Sequence, residues 1–196
     1  MRPVENPPHT SESQYTTSMA TATQVVPLSE YLETAYHPDR DYIDGELRER
    51  NVGKWEHARL QWLLAFWFAS NEAAWQVTGS TEQRMRVSRS RIRIADLCVL
   101  KPGPQPDILV DPPLLVIEVL SPDDTYSELQ ERCQDYRLMG VETIWIIDPK
   151  TRSGRMCAGA DWIEAQRLEV AGTPIHVNLD SLFSQINSTA RSGNAS

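Results

Sequence analysis

Glu118 is the residue whose setting most needs a chemical explanation. It lies inside the run 114–120 (LLVIEVL), with apolar residues on both sides of the carboxylate. Moving a bare carboxylate out of water is costly unless it is protonated, paired or bound to a cation. Residue type alone leaves three explanations open: a neutral acid of raised pKa, an ion pair with a core-facing arginine such as Arg91 or Arg93, or a ligand to a metal. Asp96 is the second candidate. It interrupts RIRIADLCVL where that segment turns wholly apolar, and taken alone it also reads as an exposed residue of an edge strand. Together, two carboxylates at the ends of adjacent strands suit a hard, oxygen-loving cation such as Mg²⁺. A cation held that way can engage a phosphate oxygen and activate water for attack.

Arginines form the third chemical feature. Arg84, Arg86, Arg89, Arg91 and Arg93 fall within ten residues. In an extended segment they can line one face and reach a nucleic-acid backbone, with the alternation broken by a turn or bulge at Ser88. The same charges also serve to keep an edge strand from pairing with another sheet. No aromatic residue interleaves them, so stacking of single-stranded bases has no support here. His57, near the start of a long helix, is read as a surface histidine. Asp123 and Asp124 are read as partners of a helix dipole.

The elements that must position these groups follow from periodicity and punctuation. PLSEYLETAY predicts a short helix capped by Ser29, and DYIDGELRER predicts a hairpin turning at Asp44-Gly45. Residues 55–75 predict one long helix with Leu60, Leu64 and Trp67 on a face, and residues 75–100 alternate like strands. LLVIEVL is the pattern of a strand covered on both faces. Ser121-Pro122-Asp123-Asp124 predicts the start of a helix that runs to Met139, with Gly140 as its C-terminal cap. ETIWIIDP is the next strand, parallel to LLVIEVL. A small hairpin and a short helix, LDSLFSQI, complete the chain.

Composition sets the outer bounds. The 196 residues fit one domain, read as residues 25–186 between disordered tails at 1–24 and 187–196. A net charge of −8 argues against avid, sequence-independent nucleic-acid binding. The basic residues are nearly all arginine, the lysines being Lys54, Lys101 and Lys150. Three cysteines without a CxxC pair argue against a zinc site or a disulfide framework, and Cys133 reads as a small hydrophobe. A reducing, cytoplasmic setting is the simplest reading. The apolar run at 60–69 is too short to span a bilayer, so no membrane association is expected.

Read in order, DYIDGELRE, RIRIADLCVL, PPLLVIEVLSPDD and ERCQDYRLMGVETIWIIDP resemble the Uma-type family of bacterial proteins assigned as restriction endonucleases, within the PD-(D/E)XK nuclease superfamily. The resemblance covers residues 26 to 186 and is most specific from Pro113 to Pro149. It implies an α/β fold with a restriction-endonuclease-like core, a mixed β-sheet flanked by helices. It also implies a metal-dependent endonuclease acting on DNA with Mg²⁺ or Mn²⁺, and a homodimer is compatible with cutting both strands. Asp96 matches the Asp of the PD element, with Ala95 where Pro is usual. Glu118 matches the acid of the (D/E)XK element, and Glu46 an N-terminal acid that completes the metal site. The lysine position of that element holds Leu120. Relatives of this type supply a lysine from the following helix, four residues before its Tyr, and here that position is Arg132, before Tyr136. Arginine keeps the charge and a phosphate-binding fork, but it stays protonated and cannot act as a base. A nuclease fold with weakened turnover, acting as a binding module, is therefore the alternative. A helix-surface pair between Glu128 and Arg132 is the plainer role for Arg132.

Overall fold

The computed structural model describes residues 25–51, 54–158 and 161–188, which form four helices and eleven strands. The expected N-terminal tail lies outside these residues, as does 189–196. Residues 187 and 188 close the last helix.

Helix α1 (Leu28–Glu33) starts from Pro27, and no side chain caps it, so Ser29 sits inside the helix and not at its cap. Strands β1 (Arg40–Ile43) and β2 (Glu46–Glu49) pair around Asp44 and Gly45, at φ 51° and 97°. Two consecutive positive φ values are what a tight hairpin of this twist requires, and Asp-Gly supplies them cheaply. Helix α2 (Trp55–Trp75) buries Leu60, Leu63, Leu64 and Phe68 against the sheet. The predicted face is shifted: Trp67 is only partly covered, and Trp55 and Trp62 are exposed.

Strands β3 (Thr78–Arg86) and β4 (Arg91–Leu100) form the next hairpin, whose turn includes Ser88. β5 (Ile108–Leu109) is a short parallel partner of β3. Then β6 (Leu115–Val119), α3 (Tyr126–Met139) and β7 (Ile144–Asp148) make the expected parallel β-α-β unit. The C-terminal part holds two hairpins where one was expected. β8 (Ser153–Ala158) and β9 (Asp161–Glu164) extend the main sheet, while β10 (Arg167–Glu169) and β11 (His176–Asn178) pair apart from it. Helix α4 (Leu179–Ser188) ends the described chain.

The nine-stranded sheet runs β2-β1-β4-β6-β7-β8-β9, with β3 on the other edge of β4. Helices α2 and α4 cover one face with Leu97, Val99, Ile117, Trp145 and Ile147. Helix α3 covers the other with Cys98, Val116, Ile144 and Ile146. The three cysteines are buried, with Cys133 Sγ 2.7 Å from Cys157 Sγ. Among the described residues no helix is long and apolar enough to cross a membrane.

Helix α3 starts four residues later than Ser121 suggests. The stretch Ser121–Asp124 is instead a turn, in which Asp124 Oδ2 accepts the Ser121 N–H at 2.7 Å and the Ser121 carbonyl accepts the Asp124 N–H. The cap is Thr125: its hydroxyl accepts the Glu128 N–H, and the Glu128 carboxylate accepts the Thr125 N–H, a reciprocal box. At the far end Gly140 takes φ 102°, as its predicted capping role demands. Thr125→Ala is therefore expected to cost about 1 kcal/mol, whereas Ser29→Ala should stay within about 0.5 kcal/mol of wild type, both measured by urea unfolding.

Candidate active site

Strand β4 is central to the sheet, yet its pairing lapses on both sides at one residue. The β3–β4 ladder skips the pair that would join Glu82 to Asp96, and Glu82 adopts φ 51° there. The β4–β6 ladder ends at Leu97↔Ile117, one step before Asp96 would meet Glu118. The alternation of β4 slips at the same place. Arg91 and Arg93 pair with Asp135 of α3, and Ala95 packs in the α3 cluster; past Asp96 it is Cys98 that faces α3, while Leu97 faces α2. Asp96 thus lies in a notch between strands, where its backbone and side chain need partners other than a neighbouring ladder.

The notch supplies them. The Asp96 carbonyl accepts the Gln61 amide from α2 at 3.0 Å. Asp96 Oδ2 accepts the Val119 N–H of β6 at 2.8 Å and lies 3.4 Å from His57 Nε2. Asp96 Oδ1 is bound by the guanidinium of Arg50, from the β2–α2 connection, which also binds Glu82. Glu118, beside it on β6, is held from α3. Arg132 Nη1 donates to Oε2 at 3.0 Å, and the Tyr136 hydroxyl donates to Oε1. Arg132 and Tyr136 are one helical turn apart, so both reach the same acid. The partner of the buried glutamate is therefore Arg132, and neither Arg91 nor Arg93. Glu128, whose carboxylate closes the helix cap, does not draw Arg132 to the surface.

Electrostatics divides the two acids. Burial pushes the Glu118 carboxyl up to about 7, Arg132 opposing this and the Asp96 charge adding to it. For Asp96, burial acts upward too, but the His57 contact and the Arg50 charge outweigh it and hold the carboxyl below the usual range. Burial likewise draws His57 down, but the Asp96 carboxylate wins and holds it above its ordinary value. In the Glu118–Arg132 pair the glutamate is fully desolvated and the guanidinium keeps a partly open edge, so the acid is the member that titrates near neutrality. Burial, then the Glu118 charge, keep the Tyr136 phenol protonated and donating.

The other predicted positions fall elsewhere. Glu46 begins β2 opposite Ile43, which itself pairs with Arg91, so it sits level with the far end of β4 and not beside Asp96. Its ion-pair partner is Arg48, at 4.0 Å. The arginine cluster does not line one face. Arg84 is bound by Asp39, Arg91 by Asp44, Glu131 and Asp135, and buried Arg93 by Asp41 and Asp135. Arg86 and Arg89 remain exposed near the β3–β4 turn. Sequence reading missed Arg50 and Glu82, which carry no pattern of their own. It also placed His57 on the surface, whereas the histidine faces the notch.

Asp96, His57, Arg50 and Arg132 line a small cleft of about 10 Å³, the lower limit for one water. It adjoins a larger cleft of about 180 Å³ that shares His57, Ser121 and Asp124 and adds Lys54, Asp148 and Lys150. This larger cleft lies at the carboxyl ends of β6 and β7, where open α/β sheets bind ligands. As for a metal, Mg²⁺ needs only one or two carboxylates besides water and substrate oxygens. Asp96 and Glu118 meet that number. The oxygens they would offer are engaged by Arg50 and Arg132, and no trio of His, Cys, Asp or Glu converges among the described residues. The donor set therefore fits a lightly coordinated hard cation, and not a closed all-protein cage.

This is a mixed sheet flanked by helices with a buried acidic pair at its notch. The model of the Uma2 family, described as "Putative restriction endonuclease", matches residues 28–182, and the chain belongs to that family. Among solved structures, the fold is similar to that of a protein from Anabaena variabilis, titled a putative nuclease belonging to DUF820. The TM-score is 0.70 at 19% identity, covering 81% of this chain and 98% of that one. No curated protein matches the sequence.

The raised Glu118 value carries a prediction about stability. Between the ordinary glutamate value of 4.5 and about 7, the folded state holds a proton that the unfolded chain has lost. Stability then falls as pH rises through that window, by on the order of 3 kcal/mol. Urea unfolding should show this decline in wild type and a shallower one in Glu118→Gln. Equal slopes would mean that Glu118 is ionised throughout.

Proposed function

We propose that this chain is a metal-dependent endonuclease that hydrolyses phosphodiester bonds in DNA. The observation that carries the reading is the burial of Asp96 and Glu118 side by side at the point where β4 parts from both neighbours, with the Asp96 charge raising the Glu118 carboxyl. Two acids kept dry side by side are costly to ionise together, and a cation with a phosphate is the chemistry that uses them. Mg²⁺ or Mn²⁺ held by Asp96 and Glu118 would supply charge against the phosphate and acidify water. Arg132, charged at any working pH, would stabilise the negative charge that develops on phosphate. His57, whose protonated form the Asp96 carboxylate favours, would add a second donor from the α2 side. Lys54 and Lys150, at the rim of the larger cleft, would steer the backbone. A homodimer would bring two such sites to the two strands.

A second reading has its own support. Every carboxylate oxygen of the pair already has a protein donor, and among the described residues no lysine pairs with either acid. Such a site suits a nuclease fold that binds nucleic acid or protein and turns over slowly, if at all.

Nicking of supercoiled plasmid with Mg²⁺ or Mn²⁺ separates the two. The enzyme reading predicts nicking that is lost in Glu118→Ala and in Asp96→Ala, by a factor of about 100 or more. Absence of cleavage by wild type together with cleavage by Arg132→Lys would identify a silenced enzyme, and absence from both would favour the binding module. Duplex binding followed by fluorescence anisotropy against salt should lose about one unit of slope for Lys54→Ala and for Lys150→Ala. An unchanged slope would place the duplex elsewhere.

A further inference from the structure

Arg50 is held in a way that a structural ion pair does not require. Its guanidinium spans two acids on neighbouring strands, Glu82 of β3 and Asp96 of β4. Asp96 is buried, while Glu82 is half exposed. Glu82 reaches this position from left-handed backbone, at φ 51°, a conformation unfavourable for a non-glycine residue. Its other oxygen is fixed by the Gln61 amide at 2.7 Å. The same Gln61 amide holds the Asp96 carbonyl, so Glu82 and Asp96 are locked at one level with the guanidinium between them.

The oxygens of Asp96 are not equivalent. Oδ2 is committed to the Val119 N–H and His57. Oδ1 has Arg50 as its partner. Oδ1 is thus the position from which Asp96 could hold a cation, and a resident guanidinium fills it. Arg50 Nε is itself buried with no hydrogen-bond partner among the described residues, so the side chain is imperfectly satisfied where it lies. Glu82 offers Arg50 a second acceptor toward solvent.

We propose that Arg50 is a competing internal cation: it occupies Asp96 Oδ1 until a divalent metal displaces it, and Glu82 retains the guanidinium when it swings away. This inference rests on the metal-dependent reading above. The exchange breaks the Arg50–Asp96 pair and keeps the Arg50–Glu82 pair, so no buried charge is left without a partner. Arg50 is a positioning residue here, setting metal affinity through Asp96. The two partners predict opposite effects. Removing the Arg50 charge should tighten metal binding. Removing the Glu82 charge should weaken it, because the displaced guanidinium loses its second acceptor.

The test is Mn²⁺ binding to the full chain, followed by electron paramagnetic resonance of free Mn²⁺ and by calorimetry, with no activity readout. Arg50→Gln should bind Mn²⁺ at least tenfold more tightly than wild type, and Glu82→Gln several-fold more weakly. Asp96→Asn should abolish the site in every background. Should Arg50→Gln be too unstable to titrate, Glu82→Gln, altered at a half-exposed side chain, carries the test alone. Wild-type binding that depends on Asp96 but is unaltered or weakened in Arg50→Gln, or unaltered in Glu82→Gln, would overturn the competition and leave the metal reading intact. No Mn²⁺ binding by wild type or by Arg50→Gln would overturn both.

Discussion

Two carboxylates are kept dry and adjacent in the middle of a sheet, and much of the surrounding structure answers to that constraint. Their mutual repulsion and lost hydration must be offset locally, because a sheet interior offers no water. Arg50 and His57 offset Asp96 from the α2 side, and Arg132 with Tyr136 offset Glu118 from α3. They come from three elements: the β2–α2 connection, α2 and α3. The acidic pair therefore ties both helical layers to the sheet at one level. The lapse in pairing around Asp96 makes room for this, since a continuous ladder would leave no path for those side chains to reach the notch.

The same logic explains where the positive charge goes. The chain is acidic, and many of its arginines are paired with acids. Arg93 is buried between Asp41 and Asp135, and Asp41 also accepts the Ile94 N–H at 2.9 Å on the stretch of β4 between its β1 and β6 pairings. Arg91 and Arg48 gather Glu131 nearby. Arginine suits such sites because its planar fork serves two acids at once and it never loses its charge. A guanidinium already bound to an acid is less available to phosphate. Under the proposed nuclease reading, a cation at Asp96 and Glu118 would do double duty, neutralising the acids and meeting a phosphate.

The framework of the fold was legible because it rests on local signals. Asp44-Gly45 announced the first hairpin, LLVIEVL and ETIWIIDP the two central strands, and Gly140 the end of α3. Glu118 stood out because a charge in an apolar strand is costly wherever it occurs. Non-local facts were not legible. Arg93, Asp41 and Asp135 come from three separate elements, so an exposed arginine stripe and a buried ion-pair network look the same in sequence. Thr125 was overshadowed by the stronger-looking Ser121-Pro122, because a turn and a helix start share their residue types. Arg50 and Glu82 became meaningful only once β3 and β4 were aligned and the skipped pair between them was visible.

The central claim is that Asp96 and Glu118 form one cation site whose oxygens the protein's own arginines hold in the resting state. Anomalous diffraction from crystals soaked in Mn²⁺ tests it most directly. The account predicts a peak within about 2.5 Å of oxygens from both carboxylates, with the Arg50 guanidinium moved off Asp96. A peak confined to surface acids, with both carboxylates still bound to their arginines, would contradict it.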